Sequence, residues 1–295
     1  MYAAISGLDA NQAMLNETAN DLANVNTVAY KASSVTFANS LTQLIRGAGG
    51  PTNTNGGSNP EQIGLGVQVD ATINEMSEGS FQTTNNPLDV AIEGPGFLRV
   101  GPGSPKEGEL TKNLPANVNY TRAGDLTTNA AGYLTTQSGE YVIGTEAKVV
   151  AESETGNTYE PGEKATYLMI PPGSTNVAIG ENGAVSYTDE NKESPNYLKR
   201  VTAGYLQLAT FPNEDGLERL GGSLWAQTPN SGTPLVGTPD TPGFGSTLGG
   251  ELEMSNVDLA TEMTNMITAE RGYQANSRVI STADEMLGTL VTMNG

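Results

Sequence analysis

The sequence contains no cysteine and no histidine among its 295 residues. Disulfides, thiolate chemistry, histidine-based triads and the usual zinc sites are therefore excluded. Basic residues are also scarce: 14 Lys and Arg stand against 33 acidic residues, which gives a formal net charge of −19. Nucleic acids and anionic membranes are both recognised through Lys and Arg, so this charge argues against either as a partner.

Long apolar runs and a secretory leader are missing as well. No stretch reaches the roughly 18 apolar residues that a membrane-spanning helix needs. Residues 1–10 have neither the basic region nor the apolar region of a cleavable signal peptide. If the protein leaves the cell, we expect it to use another export route.

Glycine and proline are plentiful, at 36 and 16 residues, whereas charged residues make up only 16% of the chain. Frequent turns favour short strands over a helical bundle. Asn, Thr, Ser and Gly supply most of the polarity. Burying an amide or a hydroxyl costs less than burying a charge, so such a surface suits extensive contact with neighbouring molecules.

The two ends of the chain show heptad spacing, which is typical of a helix with one apolar face. The pattern predicts a helix that stops near residue 24 and another from about 258 to 292. The two seams could pair with each other as a coiled coil or pack against other copies. The predicted self-assembly residues are Ile5, Leu8, Leu15, Leu22, Leu259, Met263, Met266, Tyr273, Ile280 and Leu287.

The middle of the chain has the alternation of β-strands. Period-two patterns predict strands at 67–73, 88–92, 97–100 and 205–211. A stretch rich in Gly, Asn and Pro at 47–60 predicts a loop that could reach a neighbouring subunit and become ordered there. Further long loops are predicted at 101–118 and 146–166, with no role that the sequence reveals.

Five segments, taken in order, resemble the flagellar rod and hook axial proteins. Each is weak alone, but the series covers essentially the whole chain. They read YAAISGLDA with ANDLANVNT, GSFQTTNNPLDVAIEGPGF, YTRAG, EMSNVDL and AERGYQANS, at residues 2–10 with 19–27, 79–97, 120–124, 253–259 and 269–277.

The resemblance implies a mainly β middle domain with long helical termini that form a coiled-coil-like inner domain. It divides the chain into an inner-tube domain (1–27 and 258–295), a connecting segment (28–75 and 245–257) and an outer β-rich domain (76–244). Within the family, the segments QIGLG at 62–66 and LEMSNVDL at 252–259 favour a hook subunit. A hook subunit forms a universal joint that transmits torque. A distal rod subunit is the alternative.

The resemblance also implies partners, location and the lack of catalysis. The subunit would form a helical homopolymer and contact the distal rod, hook cap and hook-filament junction proteins. It would be exported unfolded through the flagellar export apparatus, without signal cleavage, to the extracellular part of the flagellum. No cofactor or metal is expected.

Two other classes remain as rivals. A secreted carbohydrate-active enzyme would need a carboxylate pair. The adjacent pairs Asp189 with Glu190 and Glu214 with Asp215 are more typical of solvated turns. Asp89 and Glu93 would share one face of a strand, which we interpret as a surface feature. A calcium-binding adhesin would fit the acidity, but no EF-hand spacing or nonapeptide repeat is present.

Overall fold

The structure is a computed structural model that describes residues 2–51, 56–103, 117–151, 158–190 and 197–293. Its chain divides into two compact units. The helical unit contains Met1–Val25, Ala32–Glu75 and Val257–Gly295. The β unit contains Asn26–Lys31 and Met76–Asn256. Parts of the predicted loops at 47–60, 101–118 and 146–166 lie outside the described residues.

The helical unit combines two helices with two antiparallel strand pairs. Helix α1 spans Tyr2–Ala23 and helix α2 spans Leu259–Met293. Strands β1 (Ser33–Asn39) and β4 (Val67–Asn74) form one pair, with a bulge between Thr36 and Phe37. Strands β2 (Thr42–Arg46) and β3 (Glu61–Gly64) form the other.

The β unit is built mostly on one antiparallel sheet, with thirteen strands among the described residues. Its strands are β7 (Phe97–Gly101), β8 (Asn119–Thr121), β9 (Thr127–Thr128), β10 (Leu134–Thr135), β11 (Tyr141–Ala151), β12 (Thr158–Tyr167), β13 (Thr175–Ile179), β14 (Ala184–Thr188), β15 (Arg200–Leu206), β16 (Leu208–Thr210), β17 (Glu218–Gly221), β18 (Leu224–Ala226) and β19 (Leu235–Gly237). The main path runs β13-β14-β15-β11-β7-β8-β18-β17.

Two smaller antiparallel pairs complete the β unit. Strand β5 (Phe81–Thr83) pairs with β21 (Glu251–Glu253), and β6 (Val90–Glu93) pairs with β20 (Ser246–Gly249). A single turn of 3-10 helix covers Glu214–Gly216. Residues near the start and the end of the unit are thus joined in adjacent strands.

Strand β7 lies between two apolar clusters of the β unit. Leu98 and Val100 pack in the larger cluster with Val142 and Leu206, while Phe97 packs in the smaller one with Trp225. Successive residues of a strand point to opposite faces, so both faces of β7 are covered. A strand buried on both sides holds the sheet firmly in place.

Helix α2 begins at an aspartate cap. The Asp258 carboxylate accepts hydrogen bonds from the Ala260 N–H (2.9 Å) and the Thr261 hydroxyl (3.0 Å). These bonds satisfy a donor that the helix itself cannot, and the negative charge suits the N-terminal end of the dipole. The backbone bond first and the hydroxyl second lower the pKa of Asp258.

Helix α1 is attached to the β1–β4 pair at both ends. Near its start, the Ser6 hydroxyl accepts a hydrogen bond from the Val67 N–H at 3.3 Å. Near its end, the buried Asp21 carboxylate accepts one from the Ser33 N–H at 3.0 Å. One helix is therefore held along a strand ladder.

The predicted fold class is wrong where it makes the helical termini a coiled-coil-like inner domain. The chain is mainly β, with one helix at each end, and the unit that holds both helices also contains four strands. Strands β1 and β4 pack on part of the α1 surface, whereas in a coiled coil another helix would cover it. The predicted loop at 146–166 is also wrong in its described part, where β11 and β12 form a long ladder from Ile143↔Tyr167 to Ala151↔Thr158.

Candidate assembly surface of the terminal helices

Helices α1 and α2 pack against each other in antiparallel directions. A Cβ atom added at Gly7 would lie 2.7 Å from Nδ2 of Asn276. One added at Gly272 would lie 2.8 Å from Cγ of Asn11. The helix backbones therefore approach closely at two successive layers, each formed by a glycine of one helix and an asparagine of the other.

Small and polar residues occupy the buried positions of the two helices. The buried residues of α1 are Ala4, Gly7, Ala10, Thr18 and Asp21, and the buried residue of α2 is Ala269. The face predicted from the sequence began at Ile5 and Leu8, one residue later. One residue turns a helix by about 100°. The leucine seam thus lies beside the interhelical contact, and this is why the coiled-coil prediction fails.

The ten predicted self-assembly residues lie on the flanks and outer faces of the two helices, and none is fully buried. Ile5, Leu259, Met263 and Leu287 are exposed. The other six are half-buried, namely Leu8, Leu15, Leu22, Met266, Tyr273 and Ile280. Their common feature is apolar surface that the single chain leaves accessible.

Helix α2 extends past the start of α1. Because Gly7 faces Asn276 in antiparallel packing, Tyr2 falls near residue 281, and residues 283–293 continue for about 16 Å at 1.5 Å per residue. This segment, the α2 extension, exposes 62% of Met286, 61% of Leu290 and 73% of Val291. Large contiguous apolar surface of this kind typically marks an interaction site.

Carboxylates gather at the other end of the helix pair. Burial raises the pKa of the Glu262 carboxyl, and the nearby Asp21, Glu75 and Asp258 raise it further, while a hydrogen bond from Asn265 acts in the opposite direction. Like charges around a half-buried acid disfavour its ionised form. This end of the pair is therefore electrostatically strained near neutral pH.

The β2–β3 hairpin is a second exposed apolar surface of the helical unit. Leu44, Ile45 and Ile63 are more than half exposed, and both strands are open to solvent along their whole length. Gly49 and Ser58 exchange two backbone hydrogen bonds beyond the strands, at 2.9 and 3.0 Å. An isolated two-stranded hairpin is marginally stable in water.

The carboxylates considered for catalysis have structural surroundings. Asp89 is buried rather than on the surface, and accepts hydrogen bonds from the Thr84 hydroxyl (2.6 Å) and Asn86 Nδ2 (2.8 Å). Those bonds shape the turn before β6. Burial raises the pKa of Glu214, and Asp215 raises it further, against the opposing effect of Arg122 and Lys31.

Reasoning from sequence missed the residues that bring the helices together. Gly7, Asn11, Gly272 and Asn276 are not apolar, so a search for hydrophobic periodicity passes over them. The spacing of Ala4, Gly7 and Ala10 at steps of three could have indicated a close-packing face, because such positions are neighbours on a helix. Among the described residues, neither helix has the length and hydropathy needed to cross a membrane.

Two protein-family models match the chain. One is described as flagellar basal body rod FlgEFG protein C-terminal and matches residues 248–293, which include all of α2. The other is described as flagellar hook protein FlgE/F/G D1 domain and matches residues 91–187 in the β unit.

Full-length relatives carry names from the same family. The flagellar basal-body rod protein FlgG of Bacillus subtilis (strain 168) is 35% identical, over 99% of this chain and 98% of the relative. FlgG of Agrobacterium fabrum is 36% identical, over 99% and 97%. The flagellar hook protein FlgE of Borreliella burgdorferi is 26% identical, over 99% of each chain. With matches of this extent, the chain belongs to the flagellar rod and hook axial protein family, whose members are structural proteins of the flagellum.

Proposed function

We propose that the chain is a subunit of the flagellar basal-body rod, the alternative to the hook subunit that the sequence favours. The observation that carries the proposal is the alignment length. The match to FlgG of Bacillus subtilis runs over 294 positions, whereas the match to the hook protein FlgE of Borreliella burgdorferi needs 437 positions for the 295 residues of this chain. The hook relative thus carries long insertions that this chain lacks.

The exposed apolar surfaces support assembly into a polymer. The helix pair buries a small-residue face internally and leaves Met263 and Leu287 accessible on its outer faces. Contacts between unlike faces of identical subunits generate open helical filaments when the rotation between successive subunits does not close a ring. We assign the inner wall to residues 1–27 and 258–295, the connection to 28–75 and 245–257, and the outer wall to 76–244.

The β2–β3 hairpin is assigned to a contact with a neighbouring subunit. Leu44, Ile45 and Ile63 would lose their water-exposed surface there, and the pairing of the two strands would gain the support that it lacks in a single chain. A subunit contact that covers a hairpin on several sides would stiffen the polymer against bending. Such stiffness suits a rod.

The remaining assignments follow from membership of the family. The subunit would adjoin other axial proteins, including the hook, and would be delivered by the flagellar export apparatus without removal of a leader. Its role would be mechanical, without catalysis. The buried setting of Asp89, in a turn closed by Thr84 and Asn86, supports a structural role for the most enclosed carboxylate that was considered for catalysis.

Complementation separates a rod subunit from a hook subunit. The chain would be expressed in Bacillus subtilis strains that lack either FlgG or the hook protein, and motility and isolated basal bodies would be examined by electron microscopy. A rod subunit should restore straight rods in the first strain alone. Restoration of curved hooks in the second strain, without rescue of the first, would favour the hook assignment instead.

The helix surface can be tested with a matched pair of variants. Leu287→Asp places a charge in the exposed apolar stripe of the α2 extension, whereas Thr289→Asp places one at an exposed polar position about half a turn further along. Thr and Asp have similar helix propensities, whereas Leu287→Asp also lowers the propensity by up to about 0.7 kcal/mol. Polymerisation, followed by light scattering and sedimentation, should fail for Leu287→Asp and persist for Thr289→Asp. Equal assembly of both variants would remove the α2 extension from the interface.

A further inference from the structure

The chain passes between its two units at four places, after residues 25, 31, 75 and 256. Three segments of the β unit adjoin these crossings along the sequence. They are residues 26–31, 76–80 and 251–256, here called the crossing segments. Inside the β unit, the three crossing segments are joined to one another by side-chain and backbone bonds.

Lys31 forms the central bond. Its side chain is 1% exposed, and its ammonium group donates hydrogen bonds to the Ser77 carbonyl and to Oε1 of Glu253, each at 2.7 Å. The same Glu253 oxygen accepts a bond from the Gly79 N–H at 3.0 Å. One buried ion pair therefore connects all three crossing segments. Burial lowers the pKa of Lys31, and the carboxylate of Glu253 opposes that shift.

Backbone bonds run beside the ion pair. The Ala29 N–H donates to the Glu253 carbonyl at 2.8 Å, and the Met254 N–H donates to the Ser80 carbonyl at 2.9 Å. The Asn256 N–H donates to the Tyr30 carbonyl at 3.3 Å. Each crossing segment is thus bonded through its main chain to at least one of the others.

Two arginines attach this cluster to the large sheet. Arg122, directly after β8, is buried with its Nε 3.5 Å from Oε2 of Glu253, and its guanidinium lies 5.8 Å from the ring centroid of Phe97. Arg219 of β17 donates to the Lys31 carbonyl at 2.5 Å. The Arg219 guanidinium also stacks on the Trp225 ring, at 5.1 Å.

A buried ion pair is a poor means of adding stability, because well-packed apolar residues of similar volume often do as well or better. What this ion pair adds is geometry: the Lys31 ammonium reaches two acceptors at once, and removal of Glu253 would leave Lys31 and Arg122 without the carboxylate between them. Three short segments that share one carboxylate and one ammonium must move together. An apolar contact would allow them to slide.

We propose that Lys31, Glu253 and Arg122 form an ionic clasp, a positioning device that shares mechanical load among the crossing segments and passes it into the sheet. In a filament that transmits torque, load enters the β unit along these segments. The clasp rests on the family assignment alone and applies equally to a rod subunit and to a hook subunit.

Pulling the full chain by its two ends tests the clasp directly. The chain has no cysteine, so one added at each end gives unique attachment points. Lys31→Met removes the ammonium and keeps an unbranched side chain of similar length. Val142→Ala, in the core of the sheet, serves as the control because it weakens the β unit without touching the crossing segments. The two variants are compared with wild type under conditions that equalise their equilibrium stability.

The expected rupture force of Lys31→Met falls clearly below that of Val142→Ala. Hydrogen exchange at Ala29, Gly79 and Asn256 should also be at least tenfold faster in Lys31→Met than a uniform loss of stability would produce. Exchange at Leu134 and Leu206, whose N–H groups bond within the sheet region, should change equally in both variants. Equal rupture forces, or one common factor for all these amides, would overturn the clasp.

A double variant guards against simple misfolding. Glu253→Gln leaves Lys31 and Arg122 as two buried cations, so it should fold less well than Lys31→Met. Lys31→Met combined with Glu253→Gln removes one charge of each sign and should recover at least tenfold in the folding equilibrium. If Lys31→Met does not fold, the double variant is pulled in its place. Failure of the double variant to fold would also contradict the proposal, because it expects a neutral pair to be tolerated.

Discussion

Two glycines in helix α2 should respond in opposite ways to the same substitution. Gly288 lies in the α2 extension, where an added Cβ would meet no atom within 4 Å. Gly288→Ala should therefore stabilise the helical unit by about 1 kcal/mol, the usual difference in helix propensity between the two residues. The gain comes only from the backbone, since the new methyl group touches nothing.

Gly272→Ala brings the same propensity gain together with a collision. The added Cβ would lie 2.8 Å from Cγ of Asn11, and the Asn11 side chain is held by a hydrogen bond from its Nδ2 to the Gly7 carbonyl. Overpacking of a close contact costs about 1–3 kcal/mol, and this range includes the loss of about 1 kcal/mol if the hydrogen bond breaks to make room. The net effect should lie between neutral and a loss of about 2 kcal/mol.

Denaturant unfolding followed by far-ultraviolet circular dichroism measures this difference, with hydrogen exchange along α1 as a second reading. The two variants should differ by about 1–3 kcal/mol, a factor of roughly 5 to 150 in the unfolding equilibrium. Asn11→Ala in the Gly272→Ala background should return part of the loss by clearing the collision. Equal stabilisation by both glycine substitutions would refute the close approach of the two helices at Gly272.

Three further results are expected. Glu262→Gln should stabilise the helical unit near pH 7, because burial and nearby carboxylates raise the pKa of Glu262 and make its charge costly in the folded state. In urea titrations this advantage should disappear below pH 4.5, the ordinary pKa of a glutamate carboxyl, because the acid is then neutral in both the folded and the unfolded state. The cap bonds lower the pKa of Asp258 from its ordinary value of 3.8. Asp258 therefore stabilises the fold above pH 3.8, and this stabilisation is lost as the pH falls through the lower pKa of the folded state. Asp258→Asn should keep the cap and lose that acid transition in helicity. Gly124→Ala should lower the melting temperature of the β unit sharply, since an added Cβ would lie 2.7 Å from the Val90 carbonyl carbon; an unchanged melting temperature would contradict the backbone packing there.

The strands of the β unit could be predicted because their pattern reflects burial inside one chain, as at 97–100, which corresponds to β7. The alternation at 67–73 corresponds to β4, although that strand stays largely exposed. The pattern at 205–211 is split by the buried Gln207 into the end of β15 and all of β16. Helix α2, predicted over 258–292, is observed at Leu259–Met293, because the Asp258 cap fixes its start and no later proline interrupts it.

The packing of the helices could not be predicted, because the sequence rule assumes that the most apolar face is the buried one. Here Ala4, Gly7 and Ala269 are buried and Met263 is exposed. Close approach of two backbones requires small residues, and the leucines beside them stay accessible for contacts that a single chain does not show. The rule identifies the apolar face correctly, but that face is not the one that packs between the two helices.

The Lys31–Glu253 pair could not be predicted for a different reason. The two residues are 222 positions apart, and each is an ordinary charged residue in a polar stretch. Charge alone indicates a solvated surface, and only the meeting of β5 with β21 brings both ends of the β unit to one place. Long-range pairing of this kind is a property of topology rather than of local pattern.

The discontinuous makeup of the helical unit sets an order for folding. The β unit is almost one continuous stretch, whereas α1 has to wait for α2, which follows the whole β unit along the chain. Closing contacts over so long a sequence separation is slow and carries a large entropic cost. A chain that terminates before α2 could complete its β unit, but the face of α1 that contains Gly7 would remain exposed. The fold thus distinguishes chains that contain α2 from those that lack it, since α1 packs against α2 in the helical unit.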